Sequence, residues 1–298
     1  MKHKAGFINI IGKPNVGKST ILNKIIGEKM SIITSKPQTT RHRIFGIYND
    51  EEYQIVFSDT PGLINEPHYE LQKSMNKFVY SSFDDADGIL FIIDVFDDFK
   101  YNPKFLERLK QIKVPKFLVV NKMDLGEQEK IKELINKWSA FIEFDDVFVT
   151  SAKLGFNTDE IIDKVKQIIP ESPPFYPKEQ FTDKTERFFI EEIIREKILT
   201  LYKQEVPYSV EVEVEEWEVT EKRGAPFIFI RTNIYVSRRT QKQIIIGKGG
   251  EKIKKLGIEA RKDIEKFLDT RVHLELYVKV LENWRDNEKN LKRFGYNH

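Results

Sequence analysis

The sequence predicts an α/β domain with a mostly parallel sheet and helices on both faces, followed by a smaller α+β domain. Three observations carry this. Short apolar runs at Phe7–Ile11, Ile89–Ile93 and Phe117–Val120 alternate with helical stretches, as strands buried on both faces do. A glycine-bounded loop, Gly12–Ser19, joins the first run to a helical segment, Ser19–Ile26. A stretch with prolines at 170, 173, 174 and 177 interrupts the chain, and the pattern changes after it. The expected domains are 1–170 and 183–298, the latter with a C-terminal tail, with 171–182 as a proline-rich linker. A length of 298 residues suits two domains.

Composition narrows the class. There is no cysteine, which removes disulfides and thiolate chemistry. The run near Ile89–Ile93 is far shorter than the roughly twenty residues that span a bilayer. The first residues lead almost directly into the glycine loop, so no signal peptide is expected, and the cytoplasm is the expected compartment. The formal net charge of +2 is uninformative; its distribution is not.

Gly12-Lys13-Pro14-Asn15-Val16-Gly17-Lys18-Ser19 reads G-x-x-x-x-G-K-S, the P-loop pattern, set between strand and helix. Gly12 and Gly17 let the backbone bend close to phosphates. The amides from Gly12 to Thr20, Val16 included, and the helix N-terminus can cradle them. Lys18 can reach the terminal phosphates, and the Ser19 hydroxyl can ligate Mg²⁺. A Thr-rich loop, Thr34–Arg41, follows. Ile44–Tyr48 and Tyr53–Phe57 read as paired strands with a turn at Asn49-Asp50. The second leads into Asp59-Thr60-Pro61-Gly62. An acidic residue at a strand's C-terminal end is where a Mg²⁺-linked carboxylate belongs, and Gly62 can turn its N–H to a γ-phosphate.

Ile89–Asp94 is a buried strand, followed by a helix near Lys104–Gln111. Phe117–Val120 runs into Asn121-Lys122-Met123-Asp124. A carboxylate at Asp124 can accept from guanine N1–H and its amino group together, and adenine offers no such donor pair. Val147–Val149 leads into Thr150-Ser151-Ala152-Lys153, whose backbone can donate to the guanine carbonyl.

These five signals in order resemble the translation-factor class of small GTPases. The resemblance implies phosphate binding by Lys18 and the loop amides. It implies Mg²⁺ held by Ser19, Asp59 and Thr40 (Thr39 is the second choice). It implies guanine held by Asn121, Lys122 and Asp124, with Ser151, Ala152 and Lys153 behind them. GTP and GDP are the implied nucleotides. Leu63 stands where many GTPases carry a water-orienting glutamine. Hydrolysis is therefore expected to be slow, with Lys18, Thr40, Gly62 and Asn15 as the catalytic set. In similar bacterial GTPases an asparagine at the Asn15 position helps to hold K⁺.

In the second half, Glu186–Gln204 has an apolar face at helical spacing and stops before Pro207. Ser209–Glu215 alternates apolar and acidic, a strand with a solvated acidic face. Arg223–Pro226 turns the chain into a further strand, Phe227–Val236. Ile244–Ile246 precede Gly247-Lys248-Gly249-Gly250, a helix to about Leu268 and a last strand, Val272–Val278. A lone G-x-x-G is weak. In this α–β–β–α–α–β order it resembles a type II KH domain, in which Ile246, Gly247, Lys248, Gly249, Gly250 and Lys252 would approach a single-stranded RNA backbone. The surrounding cations, among them Arg238, Arg239, Lys242, Lys254, Lys255, Arg261 and Lys262, are opposed between 238 and 262 only by Glu251 and Glu259. The tail Trp284–Phe294 is basic and aromatic; it either adds RNA contacts or packs on its own domain.

A small GTPase joined to a type II KH domain resembles the Era family. That resemblance covers essentially the whole chain, including Glu191–Lys197 and Gly257–Lys262, and implies 16S rRNA near its 3′ end and the 30S ribosomal subunit as partners. An RNA-remodelling ATPase is the rival that Asp124 opposes. A membrane-surface GTPase lacks a lipidation motif, although basic patches can bring peripheral association with the inner membrane face.

Overall fold

The computed structural model describes residues 3–34, 36–203, 206–222 and 224–296. Ser35 of the Thr-rich loop, Gln204 at the expected helix end and Arg223 in the expected turn lie outside the described residues. The chain forms two compact units, the first made of 1–68 and 72–183 and the second of 69–71 and 184–298.

The first unit holds a six-stranded sheet. Its strands are β1 (Lys4–Gly12), β2 (Ile44–Asn49), β3 (Tyr53–Asp59), β4 (Gly88–Asp94), β5 (Lys116–Asn121) and β6 (Asp146–Val149). The order across the sheet is β2-β3-β1-β4-β5-β6, and all pairings but β2–β3 are parallel. The helices are α1 (Lys18–Ile26), α2 (Glu70–Ser81), α3 (Pro103–Gln111), α4 (Gln128–Phe141) and α5 (Thr158–Ile168). Two apolar clusters lie against the strands. One joins Ile8 and Ile10 to Ile21, Leu22, Ile161 and Val165 of α1 and α5. The other joins Ile11 and Phe91 to Val79, Phe105, Leu109 and Trp138 of α2, α3 and α4. Burial on both sides is why these strands read as continuous apolar runs. The reading above singles out neither α2 nor α4; their sequence signal is spacing, with Met75, Phe78 and Val79 buried on one and Ile131 and Trp138 on the other.

β1 lies between β3 and β4, where the strand order reverses. Its C-terminal end is therefore the crevice where open α/β sheets bind ligands.

The stretch 171–182, expected as a proline-rich linker, is fastened to the first unit. Gln54 Oε1 accepts from the amides of Phe175 (2.6 Å) and Tyr176 (2.9 Å), and Ile47 N–H donates to Phe181 O at 2.9 Å. The Gln54 side chain of β3 and the edge of β2 supply the partners. Prolines exclude helix here but leave enough amides for edge pairing.

The second unit contains α6 (Glu186–Leu201), β7 (Val210–Lys222), β8 (Ala225–Val236), α7 (Arg239–Ile246), α8 (Glu251–Leu268), β9 (Arg271–Val280) and α9 (Glu288–Arg293). β8 is central, antiparallel to β7 and parallel to β9. The core lies between one sheet face and the helices, with Ile190, Ile194, Ile230, Ile234, Ile245, Leu256 and Ile264. β7 continues well past the expected end through a register shift at Val214/Glu216.

Two expectations are corrected or resolved here. The acidic side chains of β7 are not all solvated: Glu215 and Glu218 are exposed, but Glu211 is buried and accepts from Tyr296 Oη at 2.6 Å. The tail packs on its own unit. Trp284 is fully buried and donates Nε1–H to Ser209 O at 3.0 Å, and Arg293 reaches Glu213 and Tyr235.

Candidate functional site

A cavity of about 890 Å³ opens at the C-terminal end of β1. It is bounded by the 12–19 loop, the Ile32–Thr40 segment, Gly62, and the two loops that carry Asp124 and Ser151.

The phosphate loop has the backbone its glycines allow. Gly12 has φ 153° and Gly17 φ 102°, and Gly17 opens α1. A Cβ at Gly12 would lie 2.2 Å from Ile92 O, and one at Gly17 2.1 Å from Asn121 Nδ2, so both close approaches need glycine. Gly62 is pressed on the loop as well, its absent Cβ being 2.5 Å from the Pro14 backbone. Val16 is buried, Thr20 is partly exposed, and Asn15 is exposed with φ 65°.

Lys18 is buried, and its ammonium donates to Lys13 O at 2.9 Å. Burial lowers its pKa to about 8, and the Asp59 charge offsets part of that. Asp59 is fully buried; loss of water raises its pKa, opposed by Lys18 and the Ser19 hydroxyl. Ser19 Oγ donates to Asp59 Oδ2 at 2.6 Å and lies 2.9 Å from Thr40 Oγ1, which is 3.5 Å from the same carboxylate oxygen. Asp59 Oδ1 is buried and makes no hydrogen bond. Three side-chain oxygens and an unpartnered anionic oxygen are a hard-cation donor set, so these residues fit Mg²⁺. The structure selects Thr40 over Thr39, whose hydroxyl bonds instead to Thr34 (2.6 Å) and Lys36 O (2.6 Å).

The base-side loops are tied together by Asn121. Its Nδ2 donates to Val16 O at 2.9 Å, and its Oδ1 accepts from Ala152 N at 3.0 Å and Thr150 Oγ1 at 3.3 Å. Asn121 was expected among the base contacts. Its side chain is also a buried strut that fixes three loops relative to one another. Asp124 Oδ1 accepts from Ser151 Oγ at 2.6 Å, which orients the carboxylate. Ala152 gives its N–H to Asn121, and Lys153, next to it, is exposed. Lys122 has φ 61° and its ammonium donates to Asp94 Oδ2 at 2.7 Å, a pairing the sequence reading missed. The signal for it was Asp94 ending one strand beside Asn121, its register partner on the next.

Leu63 is 2 % exposed and packs in the apolar cluster with Ile11 and Val79, and its N–H donates to Gly12 O at 3.0 Å. It turns away from the cavity and cannot orient water.

In the second unit, α7 ends at Gly247 (φ 74°), and Gly249 (φ 59°) and Gly250 (φ 81°) complete the turn into α8. A Cβ at Gly247 would meet Lys252 Cγ at 2.7 Å, whereas Gly249 and Gly250 have nothing within 4 Å. Gly247 is therefore needed by the fold, and the other two leave an open backbone surface. Lys248 and Lys252 are exposed beside it, and Ile246 is partly buried against the core. The neighbouring Ile244 (41 %) and Ile258 (50 %) are exposed among cations.

A nucleotide crevice on a mostly parallel sheet, followed by an α–β–β–α–α–β unit with an open G-x-x-G loop, defines a P-loop GTPase joined to a KH domain. A family model described as 50S ribosome-binding GTPase matches residues 7–122, and one described as KH domain matches 205–285. The chain is 41% identical over 296 residues to the GTPase Era of Staphylococcus epidermidis, covering 99% of this chain and 98% of that one. It is 44% identical over 294 residues to the GTPase Era of Clostridium botulinum, covering 98% of each. Two solved structures are each 36% identical to it and cover 99% of this chain and 100% of theirs. One is an Aquifex aeolicus Era variant bound to GDP and aluminium fluoride (TM-score 0.92); the other is Era with MgGDPNP and nucleotides 1506–1542 of 16S ribosomal RNA (TM-score 0.93). The chain belongs to the Era family of GTPases.

Proposed function

We propose that this GTPase is a nucleotide-controlled switch that binds 16S rRNA near its 3′ end through the second unit and assists assembly of the 30S subunit. The observation that carries the reading is the single cavity that brings the phosphate loop, the oxygen cluster and the oriented Asp124 carboxylate together. Lys18 and the loop amides would hold the phosphates, and Asn121, Lys122 and Asp124 the guanine, with Ser151, Ala152 and Lys153 behind them. Ser19, Thr40 and Asp59 would hold Mg²⁺, which neutralises charge on the terminal phosphate oxygens. The 16S rRNA fragment bound by the related Era supports the choice of RNA. Crosslinking the GTP-loaded protein in a cell extract, with sequencing of the bound RNA, should return the 3′ end of 16S rRNA; reads spread over unrelated RNAs would sink the proposal. The rival ATPase reading predicts ATP binding as tight as GTP binding.

Two finer points belong to the reading. With Leu63 in the core, turnover of the isolated protein is slow, and the exposed Asn15 amide, held in the left-handed region at the cavity rim, is placed to help hold K⁺. Hydrolysis should then run faster in K⁺ than in Na⁺ at equal ionic strength, and Asn15→Ala should erase the difference. Equal wild-type rates in both salts would remove the cation from the mechanism. On this reading the protein works in the cytoplasm. The basic surface of α8 also suits peripheral contact with anionic lipid at the inner membrane face, tested by vesicle flotation with and without competing RNA. Among the described residues no helix is long and apolar enough to cross a membrane.

A further inference from the structure

Arg43 makes a set of bonds that the nucleotide reading does not use. It stands three residues beyond Thr40 and just before β2. Its Nε donates to Ser58 Oγ of β3 at 2.6 Å, and its Nη2 to Asn9 Oδ1 of β1 at 2.9 Å. Nη1 and Nη2 also grip Asp85, in the turn before β4, at 2.7 and 2.8 Å. Asn9 turns its own amide to Ser82 O and, at 2.9 Å, to Asp85 Oδ1. Ser82 directly follows α2. Asn9 and Ser58 are fully buried register partners on adjacent strands, and the Arg43 side chain is only 12% exposed.

We propose that Arg43 is a positioning residue for triphosphate binding: its guanidinium fastens the root of the Ile32–Thr40 loop to β1, β3 and the turn before β4, and so holds Thr40 at Ser19 and Asp59. The inference rests on the nucleotide reading above. Ser58, which anchors Arg43, is the residue next to Asp59, which receives Thr40. Both ends of the 40–43 segment are thus referred to the same strand end. A span of three residues reaches at most about 10 Å, so it cannot absorb much movement at its root. The planar guanidinium serves three partners in fixed directions, which a lysine cannot do. The bland alternative is that the strap merely braces the sheet against the turn before β4, which would affect all ligands alike.

The two readings separate on the γ-phosphate. In the full-length protein with Mg²⁺, Arg43→Ala should weaken a non-hydrolysable GTP analogue about tenfold, the equivalent of one lost hydrogen bond to a charged group, and leave GDP within about twofold. Thr40→Ala should weaken the analogue comparably, and adding Arg43→Ala to it should cost little more. Arg43→Lys should not rescue. Asp85→Ala, at a more exposed site, should reproduce the selective loss in weaker form if Arg43→Ala folds poorly. Equal loss for both nucleotides, full additivity with Thr40→Ala, or no loss in either Arg43→Ala or Asp85→Ala would overturn the inference. A wild type that binds neither nucleotide would instead overturn the nucleotide reading itself.

Discussion

Asp124→Asn tests base recognition most directly. Ser151 Oγ donates to Asp124 Oδ1 at 2.6 Å, and an asparagine carbonyl can keep that bond. The amide nitrogen then takes the place of Oδ2. Toward guanine this substitutes a donor where the base also donates. One hydrogen bond to a charged group is lost, about 1.5–3 kcal/mol, and a base donor is left unpaired, about 1–3 kcal/mol. The sum, roughly 3–6 kcal/mol, is a fall of about 10²- to 10⁴-fold in GTP affinity. Xanthine carries an oxygen where guanine carries its amino group, so xanthosine triphosphate should bind the variant to within about tenfold of wild-type GTP affinity. Competition against a fluorescent nucleotide measures both. A variant that still prefers GTP over xanthosine triphosphate would show that Asp124 does not read the base.

Three further perturbations address charge and pH. Changing Lys248 and Gly249 each to Asp should abolish binding to a single-stranded 16S rRNA 3′ fragment and leave GTP binding intact, since the loop is open and the nucleotide cavity lies in the other unit; unchanged RNA affinity would move the RNA surface elsewhere. Lys18, with its pKa near 8 in the free site, must be charged to hold phosphates, so GTP affinity should fall about fourfold between pH 7 and 8.5, before guanine N1 ionises appreciably; a flat profile would refute it. Burial raises Glu191 from 4.5 to about 7, with the Val214 N–H opposing and Glu211, Glu192 and Glu213 adding to the rise. Its folded pKa exceeds its unfolded one, so the stability it confers is present in acid and lost as pH climbs from about 4.5 through 7; Glu191→Gln, which keeps an acceptor for Val214 N–H, should stabilise the chain at pH 8 by about 1–3 kcal/mol and not at pH 4.5, as melting curves would show.

The sheet and its phosphate loop were legible because their constraints are local. A strand buried on both faces must be apolar throughout, and a loop that wraps phosphates must place glycine where a Cβ would strike Ile92 O or Asn121 Nδ2. What was not legible depends on partners distant in sequence. That Asn121 also ties two other loops to its own shows only once Val16 and Ala152 are brought to either side of it. The prolines of 170–177 announce a break in helix but cannot say that Gln54 will capture the chain beyond it. The alternating Glu of β7 suggests solvent, yet Tyr296, some eighty residues on, covers Glu211. The basic, aromatic tail was ambiguous for the same reason: Trp284 can stack on a base or fill a core, and only the position of Ser209 O decides.

The two sites are held by different physics, and that sets how each should fail. In the nucleotide cavity the working groups are buried and bonded to one another: Ser19 to Asp59, Ser151 to Asp124, Asn121 to two other loops. Removing one partner strands another in a low-dielectric setting, so substitutions there disturb fold and binding together. Specificity has the same origin, since a preformed carboxylate leaves an unmet bond with the wrong base. At the G-x-x-G loop the exposed groups touch little: a Cβ at Gly249 or Gly250 would meet nothing within 4 Å, and Lys248 is exposed. Substitutions at Lys248 therefore act on the ligand and hardly on the fold, and their effect is screened by salt; at Gly249 (φ 59°) a side chain has room but must adopt a left-handed backbone, at a cost of about 1–2 kcal/mol. Gly247 is the exception, because its missing Cβ makes room for Lys252. A bulky residue there would damage the turn itself, which makes Lys248 rather than Gly247 the position from which RNA binding can be removed cleanly.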